Sequence, residues 1–462
     1  MAGIHKKIFG LIIFIQAVMP RPILFSQEIV RDRLEDPVIC RDDKQQSYAL
    51  FCPAGYNENK TWPVILIFDP GAMGRTGVST FLEAGRKYGF ILACSNNSRN
   101  GPLENNLNAA AAMLRDVEER FNLDRRRIYV AGFSGGSRFA MTLAVMNEKI
   151  SGVIGCGAGL PNDRNFLPSA NSHFLYYGIA GTRDMNYLEM LALPDFFNSR
   201  TRVISYIRTF SGGHQWPSSD LVTGAVEWLI LQTMNQKIIP DDPVIRVNVE
   251  HKTQKLIDSR LSEGDPVEAV RYMGFAARDF RGTLFGTRMS GMLAEYQNSS
   301  GYKKAVRNWN KIASTESEKR QMYMNYIQAM LKSPTIPDST STWWKNEVRS
   351  LIGLRDKGNP DRSAMASRIL NFISILTWEE GTAIYGYRLY THAAMLFGIC
   401  TMSDSENPNT YYYLARSLAE SGKTVEAVDA LYGAVKHGLK SRKKIETDPA
   451  FDSIRRDPRY RS

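Results

Sequence analysis

Ser134 lies within Gly132-Phe133-Ser134-Gly135-Gly136, between the short apolar run Ile128-Tyr129-Val130-Ala131 and a helix-forming run from Arg138 to Ala144. That pattern predicts a strand, a turn too tight for side chains, and a helix. Gly-x-Ser-x-Gly at such a turn lifts a serine hydroxyl off the end of a sheet. A β-carbon at Gly132 or Gly136 is expected to collide with the neighbouring strand or helix, because Ser134 must take a strained conformation there. A serine hydroxyl becomes a good nucleophile only when a base removes its proton and a carboxylate orients that base.

On such a sheet the chain order is serine, acid, histidine. Two histidines follow Ser134 before the sequence changes character, His173 and His214. His173 precedes the apolar start of a strand and reads as structural. His214 lies in Phe210-Ser211-Gly212-Gly213-His214-Gln215-Trp216-Pro217, directly after the last predicted strand, where two glycines let the loop bend back over the sheet. The acid is expected at Asp184, just past the strand that runs into Gly181-Thr182-Arg183. Asp195 falls within a helical stretch, and Asp220 reads as the N-cap of the final helix. The three positions leave no room for a large lid inserted between them.

A tetrahedral intermediate needs two N–H donors. One is expected from the backbone of Gly135 and the other from Gly71 and Ala72, in the loop after the third strand. Arg99 and Asn100, in the polar loop 96–102, are candidates to read a substrate carboxylate or sugar hydroxyl, with Trp216 beside His214 as a further substrate contact.

The elements that must position these groups alternate between strands and helices. Strands are expected at 36–40, 46–52, 64–68, 90–94, 128–131, 153–158, 174–180 and 202–209. Helices are expected at 78–88, 105–121, 138–147, 185–197 and 221–234. This alternation predicts an α/β fold, a mostly parallel sheet with helices on both faces. Around Gln-Lys-Ile-Ile-Pro-Asp-Asp-Pro, 236–243, the pattern changes and only helical segments follow. Within 411–438, Tyr411, Leu414, Ala415, Leu418, Gly422, Ala427, Leu431 and Ala434 fall at tetratricopeptide spacing, with a weaker helix–turn–helix echo at 256–280. The expected organisation is a signal segment over 1–26, a catalytic domain over 27–238 and an all-α helical-repeat domain over 239–462. The first proteolytic cut is expected near 236–242.

Composition excludes several classes. The 462 residues exceed one ordinary core, and 43% hydrophobic with 23% charged residues is globular. The balance of 58 basic to 47 acidic residues gives +11, but the charge is spread along the chain, densest at 125–127 and 440–444. No basic stripe is interleaved with aromatics, so nucleic acid is not expected as a partner. Lys6 and Lys7 precede an apolar run over 8–19, which reads as an export signal and implies a periplasmic or secreted protein. The run is shorter than the ~20 residues a membrane span needs, so an uncleaved anchor is the lesser expectation. Five cysteines are too few for a disulfide scaffold, although Cys40 and Cys52 flank a hairpin and are the one pair considered for a bridge. No ligand spacing for a metal occurs, and no cofactor is expected.

Residues 46–235 resemble an α/β-hydrolase of the polyhydroxybutyrate-depolymerase, feruloyl-esterase and dienelactone-hydrolase-like group. The motifs that carry this are FDPGAMG, NSRNGP, AGFSGGSR, GTRD and GGHQWP. Asp69-Pro70 stands where His-Gly is often found, which departs from the pattern at the second N–H donor. The resemblance implies a secreted serine esterase with Ser134, Asp184 and His214 as its triad, acting on a small-molecule or polymeric ester. The helical remainder resembles tetratricopeptide-type repeats, which imply contact with a protein partner. A serine peptidase using the same triad is the nearer alternative, disfavoured because no propeller-like gating domain precedes the catalytic unit. A non-catalytic hydrolase-like binding protein presenting a helical interaction domain is the more distant one.

Overall fold

The computed structural model describes residues 29–333 and 335–461; the expected signal segment, 1–26, lies outside them. Eight strands form one sheet: β1 (Leu34–Ile39), β2 (Ser47–Phe51), β3 (Trp62–Phe68), β4 (Ile91–Ser95), β5 (Leu123–Phe133), β6 (Gly152–Cys156), β7 (Leu175–Gly181) and β8 (Ile204–Phe210). The spatial order is β1-β2-β4-β3-β5-β6-β7-β8, with β1 and β2 antiparallel to their neighbours and all other pairs parallel. This is a mostly parallel sheet with helices on both faces, followed by an all-α region.

The apolar runs read as strands because successive side chains point to opposite faces and both faces are covered. Ile65, Ile67, Tyr129 and Ala131 pack on one face, under α1 (Gly74–Tyr88) and α5 (Ser219–Asn235). Val64, Leu66, Phe68, Ile128 and Val130 pack on the other, under α2 (Leu103–Arg120), α3 (Gly135–Met146) and α4 (Tyr187–Arg200). Asp220 is not the cap of α5. The cap position is Ser218, and Asp220 lies in the first turn, where its charge still faces the positive end of the helix dipole.

Cys40 and Cys52 are both buried free thiols. The β1–β2 register explains why they do not meet. Ile39 pairs with Ser47 at the closed end of the hairpin and Leu34 with Phe51 at the open end, so the two cysteines sit at opposite ends of the ladder.

The helical region begins by sealing the sheet. Helices α6 (Pro243–Ser262), α7 (Pro266–Asp279) and α8 (Leu284–Asn298) share the hydrophobic layer of α1 and α5, through residues such as Ile257, Tyr272, Met273 and Met289. An exposed edge strand would present unpaired backbone groups. On β8, the Thr209 N–H instead donates to the Tyr272 hydroxyl at 3.1 Å, and Arg278 donates to the Ser205 carbonyl at 2.8 Å. Hydrophobic packing therefore runs without a break across residues 236–243.

The long α9 (Ser300–Lys332), α10 (Asp338–Lys357), α11 (Pro360–Gly386) and α12 (Tyr390–Ser403) enclose a second core around Tyr323, Trp344, Ile369 and Leu396. Helices α13 (Pro408–Glu420) and α14 (Thr424–Lys436) form an antiparallel pair with Ala415 and Ala427 fully buried between them, and α15 (Arg442–Thr447) follows. Among the described residues no helix is long and apolar enough to cross a membrane.

Glu227 ties α1, α5 and α6 together. Its carboxylate is 1% exposed and accepts from Lys252 at 2.7 Å, Asn248 at 3.0 Å, Lys87 at 3.3 Å and the Tyr88 hydroxyl. Burial alone would push this carboxyl up. The bonds from Lys252 and Tyr88 and the lysine charges outweigh burial and hold it below the usual glutamate range. A carboxylate depressed in the folded state stabilises it above the ordinary glutamate value and loses that contribution as pH falls through the folded value. Glu227→Gln is expected to cost about 1–3 kcal/mol near neutral pH, with the difference from wild type shrinking on acidification. Urea unfolding followed from neutral pH down through and below the usual glutamate range checks both.

Candidate active site

The loops after β3, β5, β7 and β8 converge at the carboxyl ends of the strands, where an open α/β sheet offers a crevice. Ser134 follows β5 directly, with φ 52° and ψ −120°, a conformation held in place by its surroundings. A β-carbon at Gly132 would lie 2.3 Å from the backbone of Gly136, and one at Gly136 would lie 2.0 Å from the Phe68 carbonyl oxygen. Strand, turn and helix are thus packed backbone to backbone, as expected from the sequence. Gly136→Ala is expected to destabilise the protein by about 3 kcal/mol, since neither opposing group can move aside. For Gly135→Ala the nearest atoms belong to the side chain of Asn100, which can. Urea midpoints of the two variants, compared side by side, check the difference.

His214 Nε2 lies 2.8 Å from Ser134 Oγ, and His214 Nδ1 lies 2.9 Å from Asp184 Oδ2. Asp184 is 1% exposed, and its other oxygen accepts the Asn186 N–H at 2.8 Å. The Asn186 side chain in turn donates to the Gly157 carbonyl at 2.8 Å. The loops of acid and base are stitched together: the N–H groups of Thr182 and Arg183 donate to the Phe210 and Gly212 carbonyls, each at 2.8 Å. Phe133 lies beside the imidazole, with ring centres 4.7 Å apart. His173 sits elsewhere, in an exposed loop against the Asn171 carbonyl.

The other sequence-selected residues divide. Gly135 opens α3 beside the serine, and the first N–H groups of a helix have no partner within it. Arg99 and Asn100 line the cleft in front of Ser134, with Asn100 lying against Gly135. The loop of Gly71 and Ala72 turns inward. The Gly71 N–H donates to Asp69 Oδ1 at 2.8 Å and the Ala72 N–H to the Asp69 carbonyl at 3.1 Å, so both amides are already occupied. Trp216 braces that same loop, its indole N–H donating to Asp69 Oδ2 at 2.8 Å while its ring packs on Phe133.

Asp69, which stands out in the sequence only as a departure from the family pattern, organises this loop. It is buried and accepts from Gly71, Met73 and Trp216. Its signal was the Asp-Pro-Gly turn, in which an aspartate caps its own following backbone.

In front of Ser134 the cleft has a volume of about 530 Å3. Its walls are formed by Ser98–Asn106 residues, by the start of α3, by the loop 161–166 and by one face of α11. Among the described residues no group of three or more histidine, cysteine, aspartate or glutamate side chains is placed to hold a metal.

No protein-family model matches this chain, and no curated protein is similar to it in sequence. Among solved structures it is similar to Est1E from Butyrivibrio proteoclasticus, at 17% identity over 43% of this chain and 98% of that one, with a TM-score of 0.34. It is similar to a Pyrobaculum calidifontis esterase at 12% identity, over 43% of this chain and 84% of that one, with a TM-score of 0.34. An S-formylglutathione hydrolase from Agrobacterium tumefaciens matches at 14% identity, over 40% of this chain and 88% of that one, with a TM-score of 0.32.

Proposed function

We propose that this protein is a serine hydrolase of carboxylic esters, with Ser134, His214 and Asp184 as nucleophile, base and orienting acid. The observation that carries the reading is the unbroken path from Ser134 Oγ through the imidazole to a buried carboxylate, at 2.8 and 2.9 Å. His214 Nε2 takes the hydroxyl proton as Ser134 Oγ attacks the ester carbonyl. The Nδ1–H donates to Asp184, which fixes the tautomer and stabilises the imidazolium as it forms. The N–H of Gly135, at the positive end of α3, faces the developing oxyanion, and the Asn100 side chain beside Gly135 is a group able to join it. With Gly71 and Ala72 bonded to Asp69, their donation requires that loop to open. The imidazolium returns its proton to the leaving alcohol. Water then attacks the acyl-enzyme by the same route and releases the acid.

In this reading residues 27–238 carry the chemistry, after export directed by residues 1–26, and the helical region 239–462 completes the cleft. The test is release of p-nitrophenol from short p-nitrophenyl esters, with a fast first turnover where deacylation limits, and its abolition by a fluorophosphonate. Labelling without ester hydrolysis, combined with cleavage of peptides, would replace the esterase reading by the peptidase one. Neither labelling nor hydrolysis would leave the binding-protein reading.

A further inference from the structure

Helix α11 reaches the active site from residues far along the chain. Arg368, Asn371, Phe372, Ile375, Leu376 and Glu379 recur at helical spacing and form one stripe, about 16 Å from end to end at 1.5 Å per residue. At the stripe's first end the helix is fastened to the loop of Asp184. Arg368 Nη1 donates to the Thr182 carbonyl and Asn371 Nδ2 to the Arg183 carbonyl, each at 2.9 Å. The Arg368 guanidinium also lies over the Tyr187 ring and pairs at 2.6 Å with Glu316, a buried carboxylate on α9 that holds Arg320 as well. The helix is therefore fixed relative to the triad.

One turn further on, Phe372, Ile375 and Leu376 face the cleft that contains Ser134. Leu103 and Phe166, both half-buried, line the same cleft, together with the edge of the buried Phe139. Ile375 is 36% exposed. Phe372 and Leu376 are half-buried, each with one side against the second core and the other at the cleft, and the Arg320 guanidinium lies 5.0 Å from the centre of the Phe372 ring. Apolar side chains left partly open in a concave site, beside a nucleophile, gain from a ligand that excludes water from them. Glu379 ends this surface with a polar group.

We propose that α11 is the substrate-selecting wall of the site, and that Phe372, Ile375 and Leu376 receive an extended uncharged apolar chain of the ester. This rests on the esterase reading above. The chain belongs to either the acyl or the alcohol side, and two substrate series separate these. p-Nitrophenyl acetate against octanoate varies the acyl side, and ethyl against octyl acetate varies the alcohol side.

Wild type is expected to favour the long member of one series by about tenfold or more in kcat/KM, the range a few methylenes contribute in an apolar pocket. Ile375→Asp is expected to remove about tenfold of that preference while Ile375→Leu retains it. Ile375 lies at the cleft surface, so folding is not at stake, and Phe372→Ala provides a second variant in the same direction. A flat response to chain length in both series, or a preference untouched by both Ile375→Asp and Phe372→Ala, overturns the assignment of α11 while leaving the esterase intact. Failure of wild type to hydrolyse any of the four esters or to bind a fluorophosphonate overturns the parent reading and this one with it.

Discussion

Ser134→Ala is expected to lower kcat for ester hydrolysis by ~10^6 and to abolish fluorophosphonate labelling, with the fold unchanged. The size follows from the absence of a substitute. The hydroxyl stands on a residue at φ 52°, at the one point where β5, the turn and α3 touch backbone to backbone. Alanine keeps that backbone and removes the single atom within 2.8 Å of the imidazole that can form an acyl bond. What residual rate persists comes from binding and from the N–H groups at the start of α3. Steady-state hydrolysis of p-nitrophenyl acetate, with circular dichroism to check the fold, reads the effect. Retention of more than about one-hundredth of the wild-type rate would be incompatible with a Ser134 nucleophile.

Asp184→Asn is expected to lower kcat by ~10^4 with a much smaller change in KM. Asp184 is an acceptor at both oxygens, taking the Asn186 N–H on Oδ1 and His214 Nδ1 on Oδ2. Asparagine offers one acceptor and one donor. If its oxygen stays on the Asn186 N–H, its amide faces the imidazole and forces the proton to Nε2, where it cannot accept from Ser134. If it turns round, a buried N–H clash arises at Asn186. Either way the base is lost although shape and volume are kept. Asp184→Ala would mix this effect with a cavity, so the isosteric change is the cleaner measurement. Equal losses in kcat for Asp184→Asn and Asp195→Asn would show that position 184 has no special role.

Much of this architecture is legible in the sequence because local rules and tertiary packing agree in the first half of the chain. The run Val64 to Phe68 is apolar at every position since both faces of β3 are buried. The glycines at 132 and 136 announce a backbone contact that the structure contains. Chain order and a place just after a strand single out His214 and Asp184, and both lie within hydrogen-bond reach of the expected partner.

Other features depend on packing at long range. The strand β5 extends back to Leu123 through Arg125 and Arg126, whose exposed side chains hide a strand from any apolar pattern. Nothing near Arg368 or Asn371 signals that they bond to carbonyls nearly two hundred positions earlier, since a polar residue on a helix reads as solvated until its neighbour is known. The change in composition near residue 236 is real as a change in secondary structure. The hydrophobic layer nevertheless continues through it, because α7 is needed to cover β8. Loop position alone points to Gly71 and Ala72 as the second N–H donor, whereas the Asp-Pro-Gly sequence at that place folds their amides back onto Asp69.

The most direct measurement is mass spectrometry of the intact chain and its peptides after incubation with a diethyl p-nitrophenyl phosphate, which phosphorylates an activated serine and stalls there. One diethylphosphoryl group per chain, on the peptide containing Ser134, with esterase activity falling in step with its formation, is the predicted result. No adduct, or one on a different serine while Ser134 stays unmodified, would contradict the central claim that the imidazole of His214 activates this hydroxyl.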